Sequence, residues 1–263
     1  MQFLKKSVPL IIILTLSGCA TNSSRPADPN DPYQSYNEAM FSFNNGFYTY
    51  VGQPVNDAYT FVLPSFARTG IDNFYENIGT VPDMANDLLQ WNWRYFGRDT
   101  ARLIINTTLG LFGLIDIAGY AGIPAHDQNF SYTLAKWGWT DSNYFIMPLL
   151  GPNTVSSSLS LVPDYFMSPM AYVQTGAWRW ALWSTYALKV NAEAMPQYKI
   201  LKETAVDPYA AMRDAYMQNR QYVIQQIQND GATSEPTAAT PTNVSPAVEQ
   251  GQMSPALASF SGS

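Results

Sequence analysis

Few residues in this chain can do covalent chemistry. Cys19 is its one cysteine and His126 its one histidine. His126 lies in the polar loop Ala125-His126-Asp127-Gln128-Asn129. An imidazole beside a carboxylate works as a base only when a nucleophile is held against it. No Gly-x-Ser-x-Gly elbow, His-Glu-x-x-His helix or paired Cys/His spacing accompanies it, so the sequence assigns no catalytic residue, no metal ligand and no cofactor. Other polar residues gather around the apolar stretch that runs from Leu103 to Ala118. Arg94, Arg98 and Arg102 recur every four residues, and at ~100° per residue they drift only about 80° around a helix. Such a stripe either meets a phosphate or forms a solvated face paired with carboxylates such as Asp99. Asn106 and Asp116 stand inside the stretch itself, and leaving either unpaired in hydrocarbon costs several kcal/mol. They must therefore face protein, water or a polar passage.

The elements that position these groups follow from the punctuation of the chain. Gly110 and Gly113 disfavour one unbroken helix, so the stretch reads as a helix to about Leu109, a bend, and a second short element begun by Asp116. Arg102, directly before the apolar residues, is placed for its head to snorkel toward a charged group. Upstream, Asp31-Pro32 and the Ser35 to Glu38 spacing begin an aromatic helix with Met40, Phe43, Phe47 and Val51 on one side. Pro64 begins a helix through Tyr75, and Pro82 begins another toward Trp91-Asn92-Trp93. Trp91 and Trp93 suit a membrane interface, with a solvent-facing or core position as the competing reading. From Met170 to Met195 a long helical segment carries Trp178, Trp180 and Trp183, again interfacial or core. Asp207-Pro208 restarts a capped helix with Tyr209, Met212, Tyr216, Val223 and Ile227 along one face.

The N-terminus bears on compartment. Lys5 and Lys6 precede an apolar run from Val8 to Leu16, too short to span a bilayer and shaped as an export signal. It ends in Leu16-Ser17-Gly18-Cys19, which resembles a bacterial lipobox; the resemblance implies cleavage after residue 18 and acylation of Cys19. Ala20 in place of Asp implies sorting to the outer membrane. Several acyl chains on Cys19, at ~0.8 kcal/mol per buried CH₂, would give the stable anchoring that a single chain does not. Residues 19–30 read as the tether, 31–230 as one folded domain, and 231–263, rich in Ala, Pro, Ser and Thr, as a disordered tail.

The formal net charge is acidic, at -6. Removal of the signal with Lys5 and Lys6 leaves 12 basic against 20 acidic groups. An acidic chain is a poor nucleic-acid binder. Charged residues make up 13% and aromatics 14%, a composition suited to extensive contact with lipid or protein.

One stretch carries a more specific signal. Asp31-Pro32-Tyr33-Gln34-Ser35-Tyr36-Asn37-Glu38-Ala39-Met40-Phe41-Ser42-Phe43-Asn44 resembles the opening of the VacJ/MlaA family of outer-membrane lipoproteins. Pro64 to Asn77, Arg102 to Ala118, and Asp207-Pro208-Tyr209 to Arg220 follow in the family's order, so the resemblance covers the body to about Val223. It implies an all-α, ring-like body embedded in the periplasmic leaflet around a central amphipathic channel. It further implies transport without covalent chemistry: mislocalised phospholipids leave the outer leaflet for a soluble periplasmic lipid-binding carrier, with a trimeric porin as partner. In this frame Arg98, Arg102, Asn106 and Asp116 are candidate channel or head-group contacts. The chain departs from the family at Asp141-Ser142-Asn143-Tyr144, where Gly-Pro-Tyr is usual, and at Ser156-Ser157, where Arg-Asp is expected. Two other classes stay open, a periplasmic lipid hydrolase working through His126 and a purely structural envelope anchor.

Overall fold

The structure, a computed structural model, describes residues 28–174 and 176–229. The export signal, Cys19, most of the tether and the tail 231–263 lie outside the described residues. Helices dominate. In chain order they are α1 (Gln34–Phe47), a π-turn (Tyr48–Gly52), α2 (Gln53–Val62), α3 (Ser65–Leu89), α4 (Trp93–Thr108) and the short α5 (Ile117–Tyr120). After these come α6 (Phe130–Lys136), strands β1 (Tyr144–Met147) and β2 (Gly151–Thr154), α7 (Val155–Met167), a 3-10 turn (Pro169–Tyr172), α8 (Ala177–Thr204) and α9 (Pro208–Asn229).

The helical class expected from the sequence holds, with one addition. β1 and β2 form an antiparallel hairpin in which Tyr144 pairs with Thr154 and Met147 with Gly151. Its turn places Leu149 (φ 64°) and Gly151 (φ 81°) in the left-handed region. The hairpin's free edge is closed by side chains rather than by a third strand. Asn37 donates from Nδ2 to the Tyr144 carbonyl at 3.2 Å and accepts from the Ile146 amide at 2.9 Å. Two turns along α1, Asn44 does the same for the Met147 carbonyl (2.9 Å) and the Leu149 amide (2.7 Å). Residues seven apart share a helix face, so two amides on α1 reproduce the ladder that an edge strand would otherwise leave unpaired.

Asp31 is not the helix cap the sequence suggests, since α1 starts at Gln34. It is buried, and it joins the two ends of the fold: Asn37 Nδ2 donates to its Oδ1 at 2.9 Å and the Tyr209 hydroxyl of α9 to its Oδ2. Arg213 Nη1 lies 3.7 Å away. Two helix boundaries also differ from expectation. Pro82 does not start a helix but lies inside α3. It removes one backbone donor toward residue 78, and packing of α3 against α4, α6, α7 and α8 keeps the helix continuous across the gap. The segment from Met170 breaks between Tyr172 and Ala177 before α8 runs on to Thr204.

Burial is inverted relative to an ordinary soluble domain. Among the described residues, buried polar and charged side chains outnumber buried hydrophobic ones, and Asn37, Asn86, Asp87, Thr133, Thr154 and Ser156 are fully enclosed. Large apolar side chains such as Phe61, Phe66, Phe112, Trp178 and Trp180 stand on the outside. The family departure at Ser156-Ser157 finds partners within this polar interior. Ser156 accepts from Arg220 Nη2 at 2.9 Å, and Ser157 meets Ser131 at 2.9 Å, so hydroxyls and the α9 arginine stabilise the start of α7. No described helix is long and apolar enough to cross a membrane.

The amide ladder can be tested directly. Asn37→Ala strands the Tyr144 carbonyl, the Ile146 amide and one Asp31 contact in a buried site, a loss of about 3 kcal/mol. Thermal unfolding of the purified chain followed by circular dichroism should show Tm lower by roughly 6–12 °C. An unchanged Tm would mean that the hairpin is held by other means.

Candidate functional site

Asn92 caps α4 by accepting from the Tyr95 amide, and Trp91 before it takes a left-handed backbone (φ 57°) that turns its ring outward. The arginine stripe predicted for this helix does not stay on one surface. Arg94 is exposed, Arg98 is half-buried with its guanidinium 4.5 Å above the Tyr95 ring, and Arg102 is 5% exposed. The stripe thus enters the protein interior.

At its inner end Arg102, Asn106 and Asp116 come together as a clamp. Asp116 Oδ1 accepts from Asn106 Nδ2 (2.8 Å), Arg102 Nη2 (3.1 Å) and the Gly119 amide (3.0 Å). Asn106 Oδ1 accepts from the Ala118 amide at 2.8 Å, and Arg102 Nη1 donates to the Ile123 carbonyl. Burial alone would raise the Asp116 pKa. The Asn106 and Gly119 hydrogen bonds and the Arg102 charge outweigh it and hold the carboxyl below the ordinary range.

This clamp holds a bend that the backbone resists. Leu111 (φ 53°), Phe112 (φ 59°) and Gly113 (φ 91°) are left-handed in succession, at roughly 1–2 kcal/mol for each non-glycine residue. The Gly113 amide is tied to the Asn106 carbonyl at 2.8 Å and the Ile115 amide to the Gly110 carbonyl at 2.9 Å. A Cβ on Gly110 would lie 2.1 Å from the Ile115 carbonyl oxygen, and one on Gly113 would lie 2.6 Å from Asn77, so both positions require glycine. α3 supports the turn from beneath: Asn73 Nδ2 donates to the Leu114 carbonyl at 3.1 Å and Asn77 Nδ2 to Thr107 at 3.0 Å. In the sequence Asn73 and Asn77 stand only within the family-like stretch Pro64 to Asn77, and their i,i+4 spacing opposite a glycine-broken stretch is the signal of their role at the bend. Outside the bend, Leu109, Leu111, Phe112 (75% exposed) and Tyr120 project from the surface. Trp91, Trp93, Trp178 and Trp180 are exposed as well, which settles the core alternative for them.

Behind Arg102 lies a cavity of about 270 Å³ lined by Glu76, Thr80, Asp83, Asp99, His126 and Gln128 among others. Burial drives the Asp83 pKa up to about 9, against the opposing Gln128 amide hydrogen bond and with help from neighbouring acids. Burial likewise pushes Asp87 up to about 8, aided by the charge of Asp99. Glu76 is raised by burial too. His126 faces this acidic wall rather than its chain neighbour Asp127, with Nδ1 3.5 Å from Asp99 Oδ2 and 3.8 Å from Asp87 Oδ1. Its ring stacks on Tyr95 at 3.9 Å and its Nε2 lies 3.1 Å from Gln128 Nε2.

The clamp predicts a defined acid response. A carboxyl whose folded pKa is depressed stabilises the fold above its ordinary value and loses that contribution as pH falls through the folded value. Asp116→Asn should destabilise the chain by about 2–4 kcal/mol at pH 7, because the buried Arg102 loses its counter-charge. Urea unfolding from pH 7 down to pH 2.5 should show that gap begin to narrow below about pH 4, where the unfolded carboxyl takes up its proton, and go on narrowing toward the lower folded value. A gap independent of pH would contradict the ion pair.

The fold is shared with known proteins. The MlaA lipoprotein family model matches residues 29–223. An Escherichia coli relative named intermembrane phospholipid transport system lipoprotein MlaA is 27% identical over 214 residues, 79% of this chain and 84% of that one. Its Haemophilus influenzae namesake is 26% identical over 241 residues, 89% and 94% of the two chains. An uncharacterized Rickettsia felis protein is 27% identical over 200 residues, 76% of this chain and 80% of its own. A solved structure described as the structural basis for maintenance of bacterial outer membrane lipid asymmetry superposes with a TM-score of 0.63 at 29% identity, covering 74% of this chain and 98% of that one. The matched residues include the polar clamp, the glycine-built bend and the aromatic exterior, and the chain belongs to the MlaA lipoprotein family.

Proposed function

We propose that this chain is the outer-membrane lipoprotein of an intermembrane phospholipid transport system. It removes mislocalised phospholipids from the outer leaflet and passes them to a soluble periplasmic carrier, so that the two leaflets stay different. The observation that carries the reading is the inverted burial within the family frame: polar side chains packed inside, aromatic and aliphatic ones facing out, and no described helix able to span a bilayer. A body of that kind is stable when hydrocarbon rather than water covers its exterior, because exposed apolar surface on that scale marks a lipid or protein contact. In this reading acylated Cys19 anchors the chain on the periplasmic side, and the helices form a ring in the inner leaflet around a polar passage. A trimeric porin packs against part of the exterior.

Head-group contact by Arg98, Arg102, Asn106 and Asp116 takes a particular form here. Arg102, Asn106 and Asp116 satisfy one another, so their role is to hold the apolar bend in its lipid-facing position and to form one wall of the passage. Trp91, Trp93, Trp178 and Trp180 seat the body at the interface, where amphipathic rings are favoured. Transport is passive. His126 is held by Gln128, Tyr95, Asp99 and Asp87, a set that offers no nucleophile for lipid hydrolysis.

Deletion of the chain from its bacterium should raise the phospholipid content of the outer leaflet, measured by labelling intact cells with a membrane-impermeant amine reagent. Wild type should restore the normal level, and Cys19→Ala should not. Unchanged surface phospholipid on deletion would leave only a structural anchor. Release of fatty acid from vesicles by the purified chain, lost in His126→Ala, would favour the hydrolase.

A further inference from the structure

The clamp and the aromatic exterior leave one buried cluster unexplained. Asp87 is 0% exposed and Asp99 1% exposed, and apart from each other their carboxyl groups have no hydrogen-bond partner among the described residues. His126 Nδ1, aimed at both, has none either. Buried carboxylates without donors are costly, and native proteins rarely leave one so, let alone two together. Arg98 Nε stands 4.0 Å from Asp99 Oδ1 and supplies one positive charge, while Arg102 is committed to Asp116. Asp83, Glu76 and Asp127 add more acid nearby. One arginine supplies too little positive charge for the carboxyls of this set to ionise together.

The spacing indicates what balances it. Ligand atoms of Asp87, Asp99 and His126 all lie within 4.8 Å of one another. Two donors each ~2.1 Å from a tetrahedral ion are separated by about 3.4 Å, and the imidazole-to-carboxylate distances are 3.5 and 3.8 Å. Those distances match ligand-to-ligand edges. They are too long for the charge-assisted hydrogen bonds of ~2.7–2.9 Å that an imidazolium would make to the same oxygens.

We propose that Asp87 of α3, Asp99 of α4 and His126 of the loop 121–129 bind one divalent cation, which ties these three segments together. The donor set selects the ion. Imidazole disfavours Ca²⁺ and Mg²⁺, two carboxylates and no sulfur disfavour Cu⁺, and the mixed nitrogen and oxygen set suits Zn²⁺, with Mn²⁺ next. Three protein ligands leave a fourth position open to the cavity. Binding through Nδ1 requires the proton on Nε2, so the Gln128 amide must turn its oxygen to that nitrogen. Gln90, which now donates to Gln128 Oε1 at 2.9 Å, turns with it. Sequence spacing hides the site, because residues 87, 99 and 126 meet only when α3 packs against α4 and the loop folds over both.

The test uses the full chain purified in detergent, stripped with a chelator and titrated with Zn²⁺ by calorimetry at pH 7. One equivalent should bind with Kd of about micromolar or tighter, and Mg²⁺ and Ca²⁺ at least about tenfold more weakly. Asp87→Asn, Asp99→Asn and His126→Gln should each weaken Zn²⁺ by at least about tenfold, and Asp127→Asn should not. Wild-type chain loaded with Co²⁺ should show the visible ligand-field bands of a nitrogen–oxygen site, a readout that needs no variant to fold. Absence of saturable Zn²⁺ binding, absence of those bands, or unchanged binding in all three ligand variants would overturn the site. In that event the two carboxylates share a proton instead.

Discussion

Asp116 Oδ1 accepts three hydrogen bonds, and through them one carboxylate oxygen links the end of α4, the start of α5 and the side chain of Arg102. Every unusual feature of the apolar bend depends on that convergence. Leu111 and Phe112 hold left-handed conformations that L-residues avoid, and only a rigid support beneath them makes this tolerable. Asn106 supplies it from both ends, giving its side chain to Asp116 and Ala118 and its carbonyl to the Gly113 amide. The polar residues embedded in the greasiest stretch of the chain are what allow that stretch to be displayed.

The same logic extends through the fold. Hydrophobic burial drives the folding of a soluble domain, but here many of the largest apolar side chains remain outside. Cohesion of the interior falls to hydrogen-bonded polar groups: Asn37 and Asn44 on the hairpin, Asn86 between Thr133 and Asp164, Arg220 on Ser156. Such networks specify geometry strongly, because each partner left unmet in a low-dielectric interior is expensive. A body built this way exchanges one external solvent for another poorly, which fits residence at a lipid surface and a function that depends on shape rather than on reactive groups.

Much of this was legible in the sequence, and the limits have physical causes. Gly110 and Gly113 announced the bend because glycine inside an apolar run has few other uses, and the need of Asn106 and Asp116 for partners followed from solvation alone. The arginine spacing carries no depth, since periodicity gives direction around a helix and not the neighbour that covers it. Pro82 looked like a helix start because its missing donor is cheapest there, yet packing of α3 overrode the local preference. Asp31 looked like a cap and is a buried junction to α9, a contact 178 residues away that no local pattern encodes. The acidic pocket around His126 was invisible for the same reason.

In the proposed function the polar clamp holds the residues around Phe112 against hydrocarbon. The direct measurement places a photo-crosslinking benzoylphenylalanine at position 112 in the acylated chain in living cells and identifies its adducts by mass spectrometry. Phospholipid adducts that fall sharply when Asp116→Asn is added are the predicted result. Adducts only to water-phase protein, or lipid adducts unaffected by loss of the clamp, would contradict the account.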